Sequence, residues 1–176
     1  MCIYFVSDKY IATGSKDTSI SIYSLDGKKV RSLRGHEASI CCLASVRNLN
    51  GDLFLASGSD HGCSSLILWD LRSWTISSKI QAHTAAVTGI LDLEDGRHVA
   101  TGSYDKKINI FNMVKNQIVM SLNNNKTSVT GMVMTVDKSR LVTSGLDKSV
   151  TVWNIFRNKG VYLILLRQLK KFNLKK

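Results

Sequence analysis

Apolar residues alternate with polar ones in four short stretches: Ile20-Ser-Ile-Tyr-Ser-Leu25, Leu66-Ile-Leu-Trp-Asp-Leu71, Ile108-Asn-Ile-Phe-Asn-Met113 and Val150-Thr-Val-Trp-Asn-Ile155. Period two is the mark of a β-strand, and an aromatic sits near the end of each stretch. The steps between them are 46, 42 and 42 residues. A unit therefore recurs along the chain. Upstream of each stretch lies a second strand ending in small residues: Tyr10–Ser15, Leu53–Ser59, His98–Ser103 and Arg140–Gly145. In three units an Asp follows (Asp17, Asp105, Asp147), six residues before the aromatic. An Asp side chain bonds readily to its own backbone, so a tight turn is expected there.

The unit extends in both directions. An earlier strand is predicted at Ile3–Val6, Ser39–Val46, Ala86–Leu93 and Ser128–Val136. A weaker outer strand is predicted at Val30–Leu33, Thr75–Ile80, Gln117–Leu122 and Val161–Leu166. Four strands in about 42 residues, repeated, predict an all-β fold of the β-propeller type, each unit being one four-stranded antiparallel blade.

The residues at fixed places in the unit resemble the WD-repeat family. Gly35-His36 precedes Trp69-Asp70, with 33 residues from His36 to Trp69. Ala82-His83, Phe111-Asn112 and Trp153-Asn154 are worn copies of the same marks. The resemblance runs to about residue 166. It implies blades at about 1–34, 35–80, 81–123 and 124–166, with a basic tail at 167–176. In that family a His, a Ser or Thr, the turn Asp and the strand Trp form a buried hydrogen-bond chain. Carried over, the second unit offers His36, Ser57 and Trp69. Its Asp60 is the candidate fourth member, although Ser57 to Trp69 spans 12 residues where the other units have 10. The third offers His83, Thr101 and Asp105, with Phe111 in place of Trp. The fourth offers Thr143, Asp147 and Trp153, with Asn125 where His would stand. The first offers Thr13, Asp17 and Tyr23.

His36, Ser57 and Asp60, and equally His83, Thr101 and Asp105, are the residue types of a nucleophilic triad. The resemblance places these hydroxyls inside a blade, so the structural role is expected. There is no Gly-x-Ser-x-Gly elbow and no phosphate-binding G-x-x-x-x-G-K-[ST]. No catalytic residue, metal site or cofactor is expected.

Propellers close with roughly 4–8 blades, and the resembled family usually has about seven. Four units with no spare strand ahead of the first predict an open or incomplete ring. A four-bladed ring closed by packing alone is the alternative. An open arc exposes apolar faces at its ends, which calls for a partner, such as the remainder of a larger propeller.

Charge adds a second question. Among 176 residues, 24 Lys and Arg against 13 Asp and Glu give +11, which suggests nucleic acid. Seven of those basic residues lie in 157–176, a stretch without an acid, so the body is only about +4. Nucleic-acid binding is therefore possible but not favoured, with an RNA- or ribosome-associated role for the tail as the alternative function. Val161–Leu166 reads as an outer strand followed by a solvated tail. Tyr162, Leu165, Leu169 and Phe172 also have the spacing of a basic amphipathic helix, and a terminus unrelated to the family is a third reading.

The first ten residues, MCIYFVSDKY, lack the basic start of a secretory leader. The longest apolar run, Val161–Leu166, is far short of the ~20 residues of a membrane span. Four cysteines without zinc spacing suit a reducing compartment. An intracellular protein, cytoplasmic or nuclear, is expected. Loops on a rigid scaffold carry function, and the resemblance points to one face. The candidate partner-binding residues are Tyr104, Lys16 and Leu146 before the turn Asp, with His61, Arg34, Glu37 and Thr84. The expected function is a non-catalytic scaffold for protein–protein interaction.

Overall fold

The strands of the computed structural model fall where the alternation predicts them. It describes the backbone of residues 2–123, 125, 127–158 and 161–173, and side chains as far as Ile155. Among the described residues, sixteen strands form four antiparallel sheets. The first holds β1 (Cys2–Ser7), β2 (Tyr10–Gly14), β3 (Ser19–Ser24) and β4 (Lys29–Arg34). The second holds β5 (Ile40–Arg47), β6 (Leu53–Ser59), β7 (Ser65–Asp70) and β8 (Thr75–Gln81). The third holds β9 (Val87–Asp92), β10 (His98–Ser103), β11 (Ile108–Asn112) and β12 (Gln117–Leu122). The fourth holds β13 (Val129–Met134), β14 (Arg140–Gly145), β15 (Ser149–Asn158) and β16 (Val161–Asn173). Within each sheet the strands lie side by side in chain order.

The turns follow from local chemistry. Thr18, Lys106 and Lys148 have positive φ of 71°, 71° and 59°. Each follows the turn Asp, whose carboxylate accepts the N–H two residues on: Ser19 at 3.0 Å, Lys107 at 2.9 Å and Ser149 at 3.2 Å. The acceptor helps hold a left-handed residue that a side chain otherwise disfavours.

Each sheet buries one face against the next. Ala12, Ile20, Ile22 and Leu33 of the first pack on Leu43, Leu55, Ile67 and Trp69 of the second. Val46, Ala56, Leu66 and Leu68 pack on Val99 and Phe111. Ala100, Ile108 and Ile110 pack on Leu141, Trp153 and Ile155. The aromatic-bearing face of each blade thus lies on the aliphatic face of the blade before it. Hydrogen bonds cross the same junctions. Ile40 N–H donates to Ser15 O at 3.0 Å, Arg47 N–H to Asp92 Oδ2 at 3.0 Å, and the Thr88 hydroxyl to Val129 O at 2.7 Å.

No hydrophobic cluster joins the fourth sheet to the first among the described residues. Ile3 and Phe5, on the aromatic-side face of the first sheet, are 73% and 61% exposed. The sheets are therefore the blades of an incomplete propeller, and the alternative of a four-bladed closed ring is not adopted.

The outer strand of the last blade needs correction. The backbone of β16 runs from Val161 to Asn173 and pairs with β15 as far as Ser149↔Asn173. It does not stop at Leu166, and residues 167–173 are strand rather than tail or amphipathic helix. The ten-residue β15 presents an edge of backbone donors and acceptors, and a long partner strand satisfies more of them. Residues 174–176 lie outside the described residues.

Candidate functional site

Two sets of side chains stand out: polar networks buried inside the blades, and exposed residues along one edge of the arc. In the second blade Ser57 is the hub. Its Oγ accepts from Trp69 Nε1 at 2.8 Å and lies 2.6 Å from His36 Nε2. The other imidazole nitrogen, Nδ1, meets Ser65 Oγ at 2.9 Å, and Ser65 in turn meets Ser59 Oγ at 3.1 Å. Burial, with a smaller push from Lys79, drives the His36 pKa down to about 4. The ring is therefore neutral at pH 7.

Asp60 is not part of this network. Its carboxylate accepts the neighbouring His61 N–H at 2.7 Å. The reason is register. Asp60 N–H donates to Ser39 O, as Tyr104 donates to Ala86 O and Leu146 to Ser128 O. Asp60 thus occupies the place of Tyr104, one before the turn Asp, and Ser65 supplies the partner for the His. The signal was in the chain: Asp60 directly follows Ser59, whereas Asp105 stands two after Ser103.

The third blade has the more polar version. His83 Nδ1 meets Asp105 Oδ2 at 3.0 Å and Nε2 meets Thr101 Oγ1 at 2.9 Å. A carboxylate only accepts, so the proton sits on Nδ1 and Nε2 accepts from the Thr101 hydroxyl. Burial lowers the His83 pKa, with Asp105 opposing. Burial works to raise the Asp105 carboxyl, but donors from Thr84, Lys107 and His83 outweigh it and hold it below the usual value. This order of Asp, His and Thr resembles a triad, yet Thr101 is 1% exposed. Its hydroxyl faces a strand carbonyl, Asn109 O, at 3.3 Å.

The fourth blade keeps the Trp153 Nε1 bond to Thr143 Oγ1 at 3.0 Å, while Asp147 caps its own turn at Ser149. Asn125, at the His position, donates to Lys106 O of the preceding blade at 3.1 Å. In the first blade Thr13 and Asp17 are not brought together: Thr13 bonds Ser21 O at 3.5 Å and Asp17 caps Ser19. Ser65 and Asn109 are members that sequence reading missed. A third buried imidazole, His98, also escaped it; this ring is held by Asp95 at 2.6 Å and Asn112 at 2.8 Å.

The exposed residues line up differently. Tyr104 is 44% and Leu146 61% exposed, and the His61 ring stacks on Tyr104 with centroids 6.3 Å apart and planes 21° apart. Lys16, Arg34, Glu37 and Thr84 are exposed too. Two of these have structural ties: Glu37 pairs with Lys79 at 2.7 Å, and Thr84 N–H donates to Asp105 at 3.1 Å. The turn tips are anchored from below, since Ser39 Oγ donates to Lys16 O at 3.3 Å and Ser128 Oγ to Tyr104 O at 2.9 Å. No helix among the described residues is long and apolar enough to cross a membrane.

A stack of four-stranded meanders, each with its aromatic strand third, defines a repeat protein of the propeller class. Comparison with known proteins agrees. The family profile described as "WD domain, G-beta repeat" matches residues 27–70, 74–112 and 116–154, well over half of the chain. The chain belongs to the WD-repeat family. Each matched segment ends on the aromatic dipeptide of its blade, and most of the first blade lies outside them.

Among curated relatives, a p21-activated protein kinase-interacting protein 1-like of Gallus gallus is 32% identical over 112 residues. That covers 62% of this chain and 28% of the relative. COMPASS component SWD3 of Saccharomyces cerevisiae is 32% identical over 102 residues, 57% of this chain and 31% of the relative. A ribosome biogenesis protein WDR12 homolog of Drosophila persimilis is 28% identical over 109 residues, 60% of this chain and 26% of the relative. The alignments span less than a third of each of these relatives.

Proposed function

We propose that the chain is a non-catalytic protein-interaction scaffold that engages partners along the edge formed by Lys16, His61, Tyr104 and Leu146. The observation that carries this reading is the His61–Tyr104 stack beside exposed Leu146, on turns tied to the blades below. Aromatic groups held rigidly at a surface are favoured anchors of interfaces, because little conformational entropy is lost on binding. Relatives named as a kinase-interacting protein and a complex component support a binding role. The relatives named for COMPASS and for ribosome biogenesis favour a nuclear or cytoplasmic setting. Further blades of a larger propeller are a second class of partner, suited to the exposed face of Ile3 and Phe5.

The test compares cross-linked partners of the wild-type chain with those of Tyr104→Ala/Leu146→Asp. Loss of specific partners with an unchanged unfolding midpoint supports the reading. Retention of every partner refutes it.

A second reading rests on the seven Lys and Arg in 157–176 and on the relative named for ribosome biogenesis. It makes the chain an RNA- or ribosome-associated factor. Replacing Lys170, Lys171, Lys175 and Lys176 by Gln then removes most salt-sensitive RNA retention. Retention that ignores both salt and these substitutions counts against it.

A further inference from the structure

At the first blade junction two rings meet edge to face. Tyr10 of the first blade and Trp74 of the second have centroids 5.5 Å apart and planes at 85°. They belong to one cluster with Ile22 and Leu71. Register carries each of these places to the second junction. Tyr10 pairs with Ser24 as Phe54 pairs with Asp70, and Ile22 stands just before its aromatic as Leu68 does. Leu71 and Trp74 stand two and five residues after Trp69, as Met113 and Asn116 do after Phe111. The backbone repeats as well, since Trp74 and Asn116 have φ of 60° and 52°. The second junction therefore offers Phe54 as the first ring and an amide where the second ring would stand.

A cavity of about 290 Å³ lies at that place, lined by Phe54, Leu68, Ser78, Met113, Val114 and Asn116 among others. The Asn116 amide oxygen accepts from the Ser78 hydroxyl, and Phe54 makes no ring contact among the described residues. Val114 is 64% exposed and Asn116 is exposed too, so this wall of the cavity meets solvent. An apolar cavity of ~150 Å³ already holds benzene, so the volume suffices for an aromatic side chain. A ring set edge to face on Phe54 gains more than its buried area alone supplies.

We propose that this cavity, between Phe54 and Asn116, receives an aromatic side chain of a partner protein, seated against Phe54 as Trp74 is seated against Tyr10. Phe54 stands near the start of β6 and the His61 turn follows its end. The cavity thus lies at the opposite end of the strands from the row of turn tips and does not depend on their role.

The test uses phenol as the probe and the Met113 ε and Leu68 δ methyls as reporters, in methyl-labelled full-length chain. Saturable shifts of both are expected. Cyclohexanol, a ring of similar size without π electrons, binds about three-fold more weakly. Asn116→Trp supplies the missing ring from within the chain and abolishes the shifts. Trp74 shows that this backbone position accepts an indole. The comparison of phenol with cyclohexanol needs no variant, so it stands even where the substitution disturbs folding. Absence of a saturable shift, equal binding of the two probes to the wild type, or unchanged phenol binding in folded Asn116→Trp overturns the proposal.

Discussion

Ser57→Ala isolates the value of the second blade's network. The hydroxyl is fully buried and is the shared partner of His36 Nε2 at 2.6 Å and Trp69 Nε1 at 2.8 Å. Removing it strands two buried nitrogens at once. At about 1–3 kcal/mol for each unsatisfied group, the expected loss is about 2–6 kcal/mol. Thr13→Ala is the matched control. Thr13 occupies the same place in the first blade, but is half-buried and makes a single long bond to Ser21 O at 3.5 Å. Its loss is expected to stay below about 1 kcal/mol. Urea unfolding followed by tryptophan fluorescence reads both, because Trp69 and Trp153 report from different blades. With a slope of about 1–3 kcal/mol per molar urea, Ser57→Ala lowers the midpoint by about 1 M or more. In a Trp69→Phe background the same change costs less, because one of the stranded donors is already gone. Equal losses for Ser57→Ala and Thr13→Ala would refute the network as a source of stability.

Acid should weaken the fold through its buried imidazole. The His36 pKa lies near 4 in the folded chain against 6.5 as its ordinary value, so between these values the unfolded chain binds the extra proton. Stability therefore falls as pH drops from 6.5 to 4, by about 3 kcal/mol from this group, and His36→Gln flattens that slope. Equal midpoints at pH 7 and pH 4.5 would contradict it. Gly58→Ala should destabilise by about 1–3 kcal/mol, because a Cβ there meets Cys42 Sγ at 2.6 Å and Val87 Cγ1 at 2.7 Å at a blade junction; the urea midpoint checks it. Ile3→Ser/Phe5→Ser removes apolar surface that is 73% and 61% exposed, and should lower the light scattering of the 176-residue chain at high concentration.

Blade placement was legible because alternation and turn chemistry agree in every unit. Ile20, Leu66, Ile108 and Val150 each begin or nearly begin the buried part of a third strand. The networks were legible in part. His83, Thr101 and Asp105 meet as the residue types suggest, because their spacing from Phe111 matches that of the other units. Asp60 stands apart because residue type alone does not report register: it lies one position before the place that Asp105 takes in its own turn. Asn109 escaped notice because an Asn within an alternating strand looks like a solvent-facing residue. Ala82 and His83, which meet it, lie more than 25 residues earlier in the chain, and local pattern does not report that contact. The length of β16 was hidden for a similar reason, since it follows from backbone pairing with β15 that local pattern does not report.

The order of the sheets has a consequence for synthesis. Each blade uses four consecutive strands, and each described junction joins a blade to the one made just before it. A chain emerging at about 5–20 residues per second delivers Ile20 and Ile22 seconds before Leu55 and Trp69 arrive to cover them. Growth is vectorial, an accretion at one moving front. A pause in translation leaves at most the newest aliphatic face uncovered at that front, and the next blade to emerge seals it.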